Sequence, residues 1–94
     1  MYNMKQGTSI FKAGKLIKIE LHYDTVIHAI KIHGDFFLYP EEGIEKLQQQ
    51  LIGTELIREK LVDRINQIIS NERLEPFGFT SEQLTEAILA AVSV

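Results

Sequence analysis

The hydrophobic period changes once along this sequence, from two to about 3.6, in the neighbourhood of Gly34. A chain with a single such change places strands first and helices second. That order predicts an α+β fold: a small antiparallel sheet of two or three strands, built on a hairpin over 15–33, followed by three helices. Ninety-four residues suffice for one hydrophobic core, so 1–94 is expected to form a single domain. No internal repeat, linker or low-complexity tract interrupts it.

In 15–23, Ile17, Ile19, Leu21 and Tyr23 alternate with Lys18, Glu20 and His22, as a half-buried strand requires. Asp24–Thr25 is expected to turn the chain, and 26–33 to return. That turn sets Tyr23 against Val26, Leu21 against His28, Ile19 against Ile30 and Ile17 against Ile32. It also sets Lys18 against Lys31 on the opposite face, a mildly unfavourable pair unless Glu20 or a partner neutralises it. Residues 9–12, or alternatively 2–5, are the candidates for a third strand.

Gly34–Pro40 connects sheet to helices. Pro40 is expected in the first helical turn, with Glu41 and Glu42 at the positive end of the helix dipole. Ile44, Leu47 and Leu51 follow at helical spacing, and Gly53 is expected to stop the helix. Thr54 is read as the cap of a second helix reaching about Ser70, with Ile57, Leu61, Ile65 and Ile68 as its stripe and Val62 and Ile69 beside it. Pro76 and Gly78 break the chain. Thr80 then opens a third helix through a capping box with Gln83, and Phe79 and Leu84 occupy hydrophobic-staple positions. Leu84, Ile88, Ala91 and Val92 are its expected inner face, and Gln48–Gln50 reads as a solvated helix face.

Apolar residues make up 45 % of the chain, enough for a real core, and there is no cysteine. Disulfides, thiolate metal sites and thiol nucleophiles are therefore excluded, and the composition fits a reducing cytoplasm. No segment resembles a signal peptide or a membrane span, so a cytoplasmic location is expected. Charge is unevenly distributed. Residues 1–34 carry five lysines against Glu20 and Asp24, net +3, while 35–94 carry five basic and eleven acidic residues, net −6. This pattern argues against general nucleic-acid binding, which needs a concentrated basic footprint, and leaves room for a charge-matched protein partner.

Catalytic candidates are sparse. His22 and His28 fall on opposite faces of the predicted hairpin and His33 at its far end, so no metal site is expected. His28 is better read as a hydrogen-bonded residue at the sheet edge. Asp35 lacks a nearby titratable partner for acid–base work, and its carboxylate is expected to accept backbone N–H groups in the turn after Gly34. No serine lies in a nucleophile elbow, and no glycine-rich phosphate loop is present. Phe36, Phe37 and Tyr39 crowd three aromatics into four residues of a connector, more than one small core needs. At least one is expected to be displayed to a partner.

Gly14-Lys15-Leu16-Ile17-Lys18-Ile19-Glu20, the hairpin, Gly34-Asp35-Phe36-Phe37 followed by Pro40-Glu41, and Leu51-Ile52-Gly53 together resemble the C-terminal accessory domain of lipoate–protein ligases. The resemblance runs from about Lys12 to Ala91, and Gly-Asp-Phe-Phe after an Ile-x-Ile strand is its most specific element. It implies a fold similar to the SufE/NifU-type iron–sulfur assembly proteins, whose cysteine-dependent activity is excluded here. The family's catalytic domain carries an Arg-Arg-x-Ser-Gly-Gly-Gly-type loop and a lysine contacting the acyl-adenylate. Neither matches any residue of this chain. Many relatives place glycine in the hairpin turn where Asp24-Thr25 stands, which leaves that loop's shape open.

The resemblance implies an accessory subunit without catalytic, cofactor-binding or metal-binding residues. Such a subunit pairs with the large catalytic subunit as a heterodimer, in a complex using ATP, Mg and lipoate, and meets lipoyl-carrier proteins only indirectly. Lys15, Lys18 and Lys31 on the outer strand face, and Gly34, Asp35, Phe36, Phe37 and Tyr39 in the connector, are the expected partner contacts. The competing reading is a regulatory module that self-associates through a sheet edge.

Overall fold

The computed structural model describes residues 4–92. Three strands, β1 (Lys5–Ala13), β2 (Lys15–Tyr23) and β3 (Ile27–Gly34), form an antiparallel sheet in that order. The third strand therefore contains the predicted 9–12 and precedes the hairpin. The alternative over 2–5 lies largely outside the described residues. β4 (Phe37–Tyr39) then leads to α1 (Gly43–Leu51) and α2 (Arg58–Asn71), and β5 (Glu75–Phe77) precedes α3 (Ser81–Ala90). This is the expected α+β order with one addition. β4 and β5 pair antiparallel as a separate two-stranded ribbon.

The alternation in β2 divides the sheet as predicted. Ile17, Ile19, Leu21 and Tyr23 are buried, as are Ile27, Ile30 and Ile32 of β3. They pack with Leu47 and Leu51 of α1, Leu61, Ile65 and Ile68 of α2, and Leu84, Ala87 and Ile88 of α3 in one core. Fully burying each such aliphatic side chain contributes roughly 1.5–3 kcal/mol, so this face-to-helix layer holds the fold.

The register differs from the expected one by two residues. Ile19 faces Ile32, Leu21 faces Ile30 and Ile17 faces Gly34, after a bulge at His22/Tyr23. The cause is the α1–α2 connection. Val26 bridges to Glu55, and Ile27 donates its N–H to the Thr54 carbonyl (3.0 Å) and accepts from Gly53 N–H (2.8 Å). Val26 is thereby drawn away from Tyr23, while Asp24 Oδ1 accepts from Val26 N–H (3.0 Å) and tightens the turn without a glycine. From Ala29 onward a shift of two preserves each residue's face but changes its partner, whereas the bulge turns Ile27 inward in place of Val26 and His28. Glu20, not Lys18, lies opposite Lys31, and Lys18 lies opposite His33. The expected lysine–lysine clash is therefore absent. Glu20 Oε2 also meets His33 Nε2 at 2.9 Å.

The same connection moves the start of α2. Thr54 is committed to the strand-like contacts with Ile27 and caps nothing. The helix begins at Arg58 with Ile57 at the N-cap and no side-chain cap, and Ile57 is exposed rather than part of the stripe. Pro40, reached through a cis peptide bond, lies before α1 and not within its first turn; its carbonyl accepts from Gly43 N–H (2.8 Å). Gly53 ends α1 with φ +89°, as expected of a C-terminal glycine. Thr80 and Gln83 form the predicted capping box, with Oγ1 accepting from Gln83 N–H (3.1 Å) and Gln83 Oε1 accepting from Thr80 N–H (3.0 Å). Phe79, Leu84, Ile88 and Ala91 are buried, and Val92 is half-buried.

Two glutamines read as solvated prove structural. Gln48 Oε1 accepts from the Ile32 backbone (2.8 Å), blunting the free edge of β3. Gln50 donates to Glu72 (2.9 Å), which also pairs with Lys46 (3.2 Å) and so ties α1 to the end of α2. At the opposite edge of the sheet α3 closes on β1: Ser9 Oγ donates to the Ala87 carbonyl (2.7 Å). A Cβ on Gly7 would run into the Ala91 carbonyl, so only glycine permits this approach.

Candidate partner-binding surfaces

The residues singled out by sequence fall on two separate surfaces. The first is the outward face of the sheet. Pleating turns Lys18, Glu20 and His22 of β2, and Lys31 and His33 of β3, away from the core, and all five are exposed. Ile10 of β1 lies opposite Lys18 on the same face and is 71 % exposed. A shallow cleft of about 360 Å³ opens at one end, lined by Leu16, Lys18, His33, Gly34 and Asp35. The Asp35 carboxylate makes no hydrogen bond or ion pair among the described residues. It is the Asp35 backbone that closes the turn, donating to the Leu16 carbonyl (3.0 Å). A Cβ on Gly34 would collide with that carbonyl, which is why glycine precedes the aspartate.

Lys15 does not join this face. It shares the inward parity of Ile17 and, being at the strand's end, lays its stem beside Gly78 and Phe36. His28, at the sheet edge, meets Asp24 Oδ1 at 3.0 Å.

The second surface is the β4–β5 ribbon. Phe36 is half-buried and packs edge-on against Phe79, with ring centroids 5.0 Å apart at 77°. This contact anchors the connector. Beyond it, Leu38 turns into the core while Phe37 and Tyr39 point outward, 78 % and 67 % exposed. Across the ribbon Phe37 faces Phe77, Leu38 faces Pro76 and Tyr39 faces Glu75. Phe77, itself 57 % exposed, completes a patch of three outward aromatics. Phe77 is not among the residues expected from sequence, where Pro76 reads only as a chain breaker. Proline is compatible with a short edge strand, and the alternation Glu75, Pro76, Phe77 was the available signal. Beside Phe37 and Tyr39 lies a cleft of about 400 Å³ bounded by Leu38, Pro40, Glu41 and Glu42.

Among the described residues no group of three or more His, Asp or Glu converges on a metal-sized site, and no helix is long and apolar enough to cross a membrane. What the two surfaces offer is contact area and charge.

Known proteins of the same construction carry related names. The chain is 38 % identical over 73 residues to lipoate-protein ligase A subunit 2 of Thermoplasma acidophilum, covering 73 % of this chain and 78 % of that one. Its fold superposes on a chain from the structure of an archaeal lipoylation system, a bi-partite lipoate protein ligase and its E2 lipoyl domain from Thermoplasma acidophilum. The TM-score is 0.71 at 31 % identity, over 94 % of this chain and 97 % of that one. Residues 6–88 match the family model described as bacterial lipoate protein ligase C-terminus, and the chain belongs to that family.

Proposed function

We propose that this chain is the accessory subunit of a two-part lipoate–protein ligase, which docks on the catalytic subunit and enables ATP-dependent formation of lipoyl-adenylate for transfer to a carrier-protein lysine. One observation carries the reading: the chain and a polypeptide of the archaeal bi-partite ligase structure coincide over nearly their full lengths, not over a fragment of either. ATP, Mg and lipoate are used by the complex, with the catalytic subunit holding them, and the heterodimer works in the cytoplasm. The contribution of this chain is conformational. By binding one arrangement of the catalytic subunit's loops better than the others, it raises the population able to activate lipoate. Shifting a minor state from about 1 % to 99 % takes roughly 5.5 kcal/mol of differential binding, within reach of an interface burying about 800 Å² per partner. Family membership disfavours the alternative of a self-associating module unrelated to lipoylation.

The test is adenylation by the purified catalytic subunit with and without this chain. Lipoyl-adenylate is expected to form at an appreciable rate only in the mixture. A full rate from the large subunit alone, unchanged by addition of this chain, would refute the proposal.

A further inference from the structure

We infer that the β4–β5 ribbon is the surface by which this chain grips the catalytic subunit, and that the surface it grips presents arginine or lysine side chains set among apolar residues. This rests on the accessory-subunit reading above and adds to it a location and a chemistry.

The exposed parts of Phe37, Tyr39 and Phe77 together leave about two aromatic side chains' worth of surface in water, on the order of 400 Å². A contiguous patch of that size matches the largest apolar patch of a typical monomer, which is often a binding surface. It also supplies about half of the roughly 800 Å² that one partner contributes to a stable interface, the half that forms the desolvated centre. The rings are not there to hold the fold. Leu38 and Phe36 seat the ribbon on the core, and the outward positions of so short a strand pair would be filled equally well by charged residues.

The rim decides what kind of partner fits. Glu75 stands directly across from Tyr39, and Glu41 and Glu42 bound the cleft beside Phe37 and Tyr39. None of the three carboxylates forms an ion pair among the described residues. Against them stand Lys15, beside Gly78 at the base of the ribbon, and Arg73, two residues before Glu75, so acidic groups still outnumber basic ones. A guanidinium or ammonium seated in this cleft meets ring faces and carboxylates at once, which strengthens both interactions as water leaves. A second copy of this chain is a poor occupant. Related by a two-fold axis, the two ribbons would bring six carboxylates together around the aromatic patch.

The experiment measures binding of the full-length chain to the purified catalytic subunit by titration calorimetry at two salt concentrations. The double variant Phe37→Ala/Tyr39→Ala is expected to weaken affinity by at least 100-fold, because central aromatics carry most of an interface's energy. Its circular dichroism and melting temperature are expected to remain near wild type, which separates lost contact from lost fold. The triple variant Glu41→Lys/Glu42→Lys/Glu75→Lys is expected to weaken binding about 10- to 100-fold and to flatten its salt dependence. Glu59→Gln, on the exposed side of α2, is expected to stay within about two-fold of wild type. If wild-type chain binds tightly and the aromatic variant binds within two-fold of it, the ribbon assignment is wrong while the accessory role survives. If wild type shows no affinity for the catalytic subunit, the accessory role fails and the ribbon assignment with it. A concentration-dependent homodimer abolished by Phe37→Ala/Tyr39→Ala would overturn the inference in favour of a second copy.

Discussion

The three-stranded sheet and the two-stranded ribbon are both antiparallel and both alternate inward and outward residues, yet they differ in what they turn to water. The outward face of β2 and β3 carries Lys18, Glu20, His22, Lys31 and His33, with Glu20 opposite Lys31 and bonded to His33. The outward face of the ribbon carries Phe37, Tyr39 and Phe77 beside carboxylates that form no ion pair among the described residues. Inward, the sheet buries seven large side chains from β2 and β3, whereas the ribbon buries Leu38 and half-buries Pro76. The first element covers its outward face mainly with charged and polar groups, Ile10 of β1 excepted. The second is held in place by a few anchors and leaves its largest apolar surface unused by the fold, the surface we propose for the catalytic subunit.

This contrast is open to direct attack by mutation. Ile19→Ala, in the middle of β2, is expected to lose about 3–4 kcal/mol in urea unfolding, since its side chain is almost wholly enclosed and the cavity cannot collapse. Phe77→Ala, a larger truncation, is expected to lose less than about 1 kcal/mol in the same assay. Comparable losses at the two sites would end the distinction between a self-sufficient sheet and a reserved ribbon. Thr80→Ala, removing half of the capping box that starts α3 just beyond the ribbon, falls between them at about 1 kcal/mol. It sharpens the comparison by showing that α3 belongs energetically to the core side.

The smallest effect concerns acid. Glu72 is held below the ordinary carboxylate range first by the hydrogen bond from Gln50, then by Lys46. A carboxyl lowered in the folded state adds stability that is complete above its unfolded pKa and is lost as pH falls through the folded value. Glu72→Gln is therefore expected to lower the melting temperature slightly at neutral pH and to converge with wild type in acid. A variant whose deficit grew on acidification would contradict the pairing.

Much of this architecture could be read from residues in order. The strand faces follow from Ile17, Ile19, Leu21 and Tyr23 at spacing two, and the α3 cap from Thr80 and Gln83. These are local signals, carried by residues within one turn or one pleat of each other. At Thr54, Gln48 and Gln50, the deciding contact comes from far along the chain. Thr54 is a good cap by type, but Ile27, twenty-seven positions earlier, claims its carbonyl. Gln48 and Gln50 read as solvated until Ile32 and Glu72 are brought beside them. Lys15 is expected on the outer strand face with Lys18 and Lys31, although strand parity alone separates it from Lys18. The ribbon escaped notice for the same reason as Thr54, since Phe37 and Phe77 are forty residues apart.

By itself the sequence determined the inward face of β2, of the far half of β3 and of most of each helix, because hydrophobic periodicity acts at every step and survives an error of two in register. It also determined that no cysteine chemistry is possible and which family motifs are present. Only the tertiary structure decided the partner of each strand residue, the start of α2 and the joining of Phe37, Tyr39 and Phe77 into one patch. Pairing across long loops depends on how all the elements pack together, and one covered sheet face constrains the face of a residue without naming its neighbour.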